Sequence, residues 1–163
     1  MEGVSTAAST WLDGIRRHLD DLRNDRYEGT AGGARQQQYV NAFDLLTPVA
    51  VEVLRQISEG LLRGKGTVAV RTPEADGGGG SIGSWTLTWP ELVAARSRMT
   101  GKALAPVTIS AIFPAGFTHP HLVAGGPVDP RAESISAWPM QVTTGEDAER
   151  QRATLWAIAI AEV

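Results

Sequence analysis

The spacing of apolar residues predicts a helix near the start of the chain. Between residues 6 and 24 the apolar side chains recur at steps of four and three, which places one stripe along a helix: Ala8, Leu12, Ile15, Leu19 and Leu22. Charged residues occupy the other face. Because the stripe spans only about two heptads, we expect it to pack on the body of the same chain rather than pair with a second helix.

Two more long helices are predicted further along. The apolar residues of 48–63 share one face, Pro48 suits the first turn and Gly64 suits the position after the last turn. The final helix should begin at Thr143 or Thr144, and its residues 155–161 are apolar almost all round. Such a helix either lies beneath other elements or meets another subunit. We therefore expect a homo-oligomer formed through the C-terminal helix.

The segment between the first two long helices contains few large apolar residues that a core could bury. Residues 24–38 are rich in glycine and glutamine, so we predict a flexible linker or loop there. A short helix is expected over residues 39–46, and Thr47 with Pro48 should start the next helix afresh.

Alternating apolar and polar residues predict about four strands. Proline in the last of them marks it as an edge or bulged strand, and a short helix is expected over residues 90–99. The strands are expected at residues 67–70, 84–89, 107–113 and 134–142. This order predicts an α+β fold, a mainly antiparallel sheet packed against N-terminal, central and C-terminal helices. At 163 residues the chain is most simply one domain, residues 1–163.

Composition and charge exclude several classes of function. A net charge of -3, with arginines scattered among acidic residues, argues against a nucleic-acid partner. The absence of cysteine excludes thiolate nucleophiles and cysteine–zinc sites. The apolar runs are too short to span a bilayer, and the N-terminus lacks the pattern of a signal peptide. We expect a soluble, cytoplasmic protein with no membrane partner.

Two of the three histidines stand two residues apart, after an apolar strand and on either side of Pro120. Residues i and i+2 of an extended segment point to the same side, so His119 and His121 are predicted to project together. They could act as general acid and base, or as ligands of a divalent Zn or Fe ion. A third ligand would then come from Glu133, or from Glu91, Asp129 or His18. The alternative is that both histidines are ordinary loop residues.

Aromatic and basic residues complete the candidate site. Trp85, Trp89 and Trp138 are predicted to form the wall that binds a small-molecule substrate, unless they simply belong to the core. Arg71 is a candidate for holding an anionic substrate, because arginine grips a carboxylate with two hydrogen bonds. Two more arginines, Arg96 and Arg98, are candidate catalytic residues for the same reason.

Two functional hypotheses follow from these residues. The first is a small enzyme that acts on a small organic molecule, aromatic or carboxylated, through the His-Pro-His segment. The second is a non-catalytic assembly or binding protein, such as a subunit of a larger particle, which the two apolar helices favour. A cavity beside the histidines would favour the enzyme, and bare apolar helix faces would favour the assembly protein.

Overall fold

The structure is a computed structural model that describes residues 2–28, 34–95, 101, 104–125 and 137–161, with the backbone alone for residues 2–11. The described chain forms five helices and five strands. In chain order they are α1 (Glu2–Asn24), α2 (Ala34–Leu61), β1 (Thr67–Ala75), β2 (Ser81–Thr88), α3 (Pro90–Ala94), β3 (Val107–Phe113), β4 (His121–Gly125), β5 (Ala137–Pro139), α4 (Gly145–Arg150) and α5 (Arg152–Ile160).

The strands form one antiparallel sheet in the order β1-β2-β3-β4-β5. The predicted α+β fold is confirmed, with one strand more than expected. The additional strand is β4, whose five residues are too few to show a clear alternation. Strand β5 lies at the edge of this sheet, as the proline at position 139 predicted.

The core lies between α2 and one face of the sheet. Phe43 of α2 stacks on Trp85 of β2 with ring centroids 4.5 Å apart, and both side chains are buried. Gly83 of β2 leaves room for that ring, since a Cβ atom at position 83 would lie 2.6 Å from Phe43. Such an aromatic pair contributes about 0.5–1.5 kcal/mol beyond its buried area.

Helix α2 is longer than expected and carries Pro48 in its interior. The prediction of a short helix followed by a fresh start at Pro48 is therefore wrong. The buried face continues without a break from Tyr39 to Ile57, and this packing outweighs the backbone hydrogen bond that proline lacks. Next to the proline, the Thr47 hydroxyl donates to the Phe43 carbonyl at 2.8 Å and accepts from Trp85 Nε1 at 3.0 Å.

The linker predicted at residues 24–38 is shorter in the structure. Residues 34–38 form the first turns of α2, and residues 29–33 lie outside the described part of the chain. Tyr27 is fully buried and donates its hydroxyl to the Met140 carbonyl at 2.6 Å. The segment between the first two helices therefore contributes a core residue, which glycine-rich composition alone did not indicate.

Helix α1 forms where the sequence predicted it, but its apolar stripe does not pack on the described body of the chain. Leu12, Ile15, Leu19 and Leu22 are 38–51% exposed. The helix instead contacts the body through its polar side, with Asp21 buried. The expectation that the stripe packs within the chain is therefore wrong for the described residues.

The C-terminal region divides into α4 and α5 at Gln151. Thr144 caps α4 by accepting a hydrogen bond from the Asp147 amide at 3.1 Å, as one of the two predicted caps. Helix α5 packs on α2, β3 and β4, and buries Leu155, Ile158 and Ala159. One side of the helix is thus covered within the chain, while Ala157 and Ile160 stay exposed. Among the described helices, none combines the length and apolar character that crossing a membrane requires.

Candidate acid-base site and cavity

The two histidines of the His-Pro-His segment have different neighbours. His119 lies just before β4, and its side chain is buried against the rings of His18 and Tyr27. His121 begins β4, is half-buried and contacts the ring of Phe117, with centroids 6.3 Å apart. The Nδ1 atom of His121 lies 3.2 Å from the His119 carbonyl. The structure thus brings His119 to α1 rather than face to face with His121.

A pair of imidazoles joins α1 to the sheet. The rings of His18 and His119 meet edge to face, with centroids 4.9 Å apart. Neither nitrogen of His119, nor Nδ1 of His18, makes a hydrogen bond of good geometry among the described residues, although the side chain of Gln141 lies near enough to His119 to act on its pKa. Burial lowers the pKa of His119 below its ordinary 6.5, and the nearby His18 lowers it further because two adjacent positive charges repel. His119 is therefore neutral at pH 7 and able to accept a proton.

Two buried carboxyl groups lie beside this pair. The Gln141 side-chain amide donates to Glu28 and, at 3.4 Å, to Asp21 Oδ2. The Glu28 amide donates to the same Asp21 oxygen at 2.7 Å. Burial raises the pKa of the Glu28 carboxyl, although the charge of Arg17 opposes that shift. The site therefore combines a carboxyl that holds its proton more tightly than usual with a neutral imidazole, the pairing that acid–base chemistry uses.

An ion-pair network holds α1 at this position. Arg17 donates to Glu28 Oε2 at 3.2 Å and to Asp147 Oδ2 at 3.3 Å, and Arg150 donates to Asp147 Oδ1 at 2.6 Å. Burial raises the pKa of Asp147, but hydrogen bonds from Thr143 and the two guanidinium charges outweigh it and hold that pKa below its usual range. Asp147 thus orients both arginines.

A cavity of about 190 Å³ lies next to these groups, between α1, β5, α4 and α5. Its volume is below the roughly 300–1,000 Å³ of sites for drug-sized ligands, so its occupant would be small. Its wall combines one imidazole, two guanidinium groups, an indole and aliphatic surface. The residues lining it are Gly14, Ile15, Arg17, His18, Trp138, Pro139, Gln141, Asp147, Arg150, Gln151 and Thr154.

The described residues give the metal prediction no support. No three or more histidine and acidic side chains among them converge in a way that could hold an ion. Glu133, the predicted third ligand, lies outside the described residues. The ligand roles of His119 and His121 therefore stay predictions.

The predicted tryptophan wall is divided among three places. Trp138 lines the cavity, as expected of a substrate-binding residue. Trp85 is fully buried under Phe43, where it belongs to the core. Trp89 lies at the start of α3 and lines a second, more open hollow whose lining includes Lys65 and Val93. Only Trp138 of the three is therefore placed beside the imidazole pair.

Of the three predicted arginines, Arg71 lies in the described part of the chain and does not line the cavity. Arg71 lies on β1, is exposed and pairs with Glu74. Arg96 and Arg98 lie outside the described residues. The arginines that line the cavity, Arg17 and Arg150, come instead from α1 and α4.

Sequence reasoning missed most of this site because its residues are distant along the chain. His18 and His119 are in ring contact across more than half the sequence, and no spacing connects them. One signal was available: His18, Asp21 and Arg17 occupy the polar side of α1, which we expected to face solvent. An exposed apolar stripe and a buried polar side are the reverse of the usual arrangement.

Comparisons of the chain with protein-family models, with curated proteins and with solved structures found no significant match. Its class is therefore defined by fold and site alone. It is an α+β protein whose described residues form a five-stranded antiparallel sheet, with a polar cavity at the end where α1 meets β5.

Proposed function

We propose that this protein is a small enzyme that binds a carboxylated organic molecule, one aromatic ring or smaller, in the cavity between α1, β5 and α4. In this proposal His18 acts as the general base at the cavity wall and His119 supports it from behind. The observation that carries the proposal is the lining of the cavity, where an imidazole and two guanidinium groups face the same small volume as Trp138.

Each part of the lining supplies one requirement of such a reaction. Arg17 and Arg150 offer N–H groups that hydrogen-bond a carboxylate, and Asp147 fixes their orientation. Trp138 and Ile15 offer apolar surface for a ring. His18 supplies an imidazole at the cavity wall. The ion-pair network of Arg17, Asp147 and Arg150 does not use this side chain, so it is available for proton transfer.

Binding is tested with benzoate, because its size and charge match the cavity. The chain has five tryptophans, so the indole N–H signals in a ¹⁵N-labelled sample report on separate places at once. We expect benzoate to shift the Trp138 signal and to leave those of Trp85 and Trp89 unchanged. Uncharged benzamide should bind more weakly, because it lacks the charge that pairs with guanidinium.

The matched variants are Arg150→Gln and Arg71→Gln. Arg150 lines the cavity, so its loss should weaken benzoate binding by about tenfold, whereas Arg71 lies on an exposed strand and its loss should change nothing. A Trp138 signal that does not move at millimolar benzoate would contradict the cavity as a ligand site.

Catalysis is tested with p-nitrophenyl acetate, a general substrate for reactive imidazoles. We expect slow hydrolysis that benzoate inhibits and that His18→Gln reduces to the background rate, with benzoate binding retained in that variant. If His18→Gln hydrolyses the ester as fast as the wild type, the role of His18 as a base is excluded even though the cavity binds ligand.

Assembly without catalysis is the second candidate function. On the C-terminal helix, Leu155, Ile158 and Ala159 are buried within the chain, and Ile160 is the large exposed apolar residue among its described side chains. The exposed stripe of α1 favours it more strongly, since four large apolar side chains in a row are open to solvent.

A further inference from the structure

We infer that the exposed stripe of α1, formed by Leu12, Ile15, Leu19 and Leu22, is the interface through which two copies of this chain form an antiparallel dimer. The inference deepens the second candidate function and does not rest on ligand binding in the cavity, with which the stripe shares Ile15. It places the contact on the N-terminal helix and not on the C-terminal helix, where the sequence suggested it.

The stripe has the form of a helix-pairing seam. Its residues alternate steps of three and four, the spacing at which the two core positions of a coiled coil recur. All four side chains are 38–51% exposed, although α1 contacts the body of the protein on its other side. The seam is narrow, so it fits one helix with the same spacing rather than a broad apolar surface.

The described part of the chain leaves this seam open, since each of its four side chains is at least 38% exposed. The longest stretch outside the described residues, 126–136, contains Val128 and Ile135 as its large apolar residues. Two such residues cannot complement a row of four. A second copy of α1 supplies an identical row.

The charges beside the stripe specify the orientation of the two helices. Asp13, Arg16, Asp20 and Arg23 form a row of alternating sign along one flank, exposed and paired only within the helix in the described contacts. An antiparallel two-fold pair brings the same flank of both helices together. In the antiparallel register that sets Leu12 opposite Leu22, the reversed row places Asp13 within one helical turn of Arg23, and Arg16 within one turn of Asp20, of the other copy, so each acid lies near a base.

A parallel pair would be less favourable. It would set this charged flank against the opposite flank of the other helix, where His18 is already in contact with His119 of its own body. A lipid surface also fits poorly, because the charges on α1 are balanced in sign and would not attract anionic lipids.

The first experiment measures mass against concentration for the full chain by sedimentation. We expect a dimer that dissociates on dilution through roughly the micromolar range, because the seam is short. The double variant Leu12→Gln and Leu19→Gln should weaken dimerisation by at least about tenfold. Leu61→Gln, an equally exposed leucine on α2, is the matched control and should have no effect.

The second experiment tests the charged row by exchange of sign. One variant combines Asp13→Lys with Asp20→Lys, and the other combines Arg16→Glu with Arg23→Glu. Each alone should dimerise more weakly than the wild type, because like charges then face each other. Mixed in equal amounts, the two variants should form a heterodimer, which neither a folding defect nor a loss of apolar contact can explain.

The third experiment tests orientation with single cysteines in this cysteine-free chain. In the antiparallel pair Leu12 of one copy meets Leu22 of the other. A mixture of the L12C and L22C variants should therefore crosslink to each other on mild oxidation. Crosslinking of each variant to itself would indicate the parallel arrangement and overturn the proposed geometry.

Three other outcomes would overturn the inference. They are a chain that stays monomeric at high micromolar concentration, a monomer that binds phosphatidylserine vesicles through α1, or a dimer that Ile160→Gln breaks and the double leucine variant does not. The double leucine variant should still show the benzoate shift at Trp138, so failure of the dimer is distinguishable from failure of the cavity.

Discussion

At the scale of single residues, His119 is the least usual side chain in the described structure. It is 2% exposed, and neither ring nitrogen makes a hydrogen bond of good geometry among the described residues. A buried polar group without a partner costs about 1–3 kcal/mol of folding free energy. Side chains that are kept despite such a cost in stability are typical of functional sites. His119 fits this pattern because it contacts the ring of His18, which lines the cavity.

Replacement of His119 by leucine should stabilise the protein and flatten its pH dependence. Leucine fills a similar volume without needing a hydrogen bond, so we expect the free energy of unfolding at pH 7.5 to rise by about 1 kcal/mol. The folded pKa of His119 is lowered, so the unfolded state takes up more protons as the pH falls through 6.5, and stability is lost in that direction. His121 contributes in the same sense and remains in the variant.

The measurement is urea unfolding of both proteins between pH 7.5 and pH 5.5. The other charged and ionisable side chains near His119, including Glu28, are the same in both proteins, so the difference between the two proteins is the informative quantity. An identical loss of stability in both proteins over this range would show that His119 is not buried in its neutral form.

The site shows where inference from sequence ends. The proximity of His119 and His121 is a local property, and Pro120 between them could be interpreted directly. The contact of His119 with His18 depends on how α1 lies on the sheet, and residue spacing carries no information about it. For the same reason Arg71 was a reasonable candidate but Arg150 was not recognised.

At the scale of secondary-structure elements, the contact between α2 and β2 holds the closest pair of aromatic rings in the described structure, Phe43 and Trp85. Two glycines show what the elements require. Gly83 allows the Phe43 ring to approach β2, since an added Cβ would come within 2.6 Å of it. Gly60 near the end of α2 has nothing within 4 Å of an added Cβ.

Gly83→Ala should therefore destabilise the protein by about 1–3 kcal/mol, because the Phe43 ring is held against Trp85 and cannot move away without loss of packing. Gly60→Ala is the matched control and should stabilise by about 0.5–1 kcal/mol, the gain expected for alanine in a helix. Thermal unfolding of both variants measures the difference. Equal changes in the two would contradict this role of Gly83.

The sequence predicted elements well where one face is apolar and long. The part of helix α2 from Pro48 onward and strands β2 and β3 follow from periodicity alone. The prediction at Pro48 was wrong because proline usually breaks or begins an isolated helix. In this protein the packing of the buried face of α2 keeps the helix continuous through Pro48. The short strand β4 was missed because five residues cannot display a period.

At the scale of the whole molecule, α1 is attached by polar contacts while the rest is held by an apolar core. Arg17 links it to Asp147, and His18 contacts His119. Side chains that remain partly open to water and bind through charge give a weaker attachment than buried apolar surface does. The cavity exists only while α1 is in place, because four of its lining residues belong to that helix.

Loss of the Asp147 charge should therefore release α1 and leave the core intact. In Asp147→Asn we expect amide hydrogen exchange in α1 to accelerate by about tenfold, equivalent to about 1.4 kcal/mol, with exchange in α2 and β3 unchanged. Glu149→Gln removes an exposed pair from the same helix as Asp147 and should have little effect. Faster exchange throughout the chain would mean that Asp147 supports the whole fold instead.

The two outer strands of the described sheet each contain a proline, Pro73 in β1 and Pro139 in β5. In β1 the pairing register also shifts between Arg71 and Glu74. Proline offers no amide hydrogen to an incoming strand, and a shifted register bends the edge away from it. Both edges of the described sheet therefore disfavour pairing with a strand of another molecule, which is the first step towards fibrils. The proposed contact between two α1 helices would join two copies without using either edge.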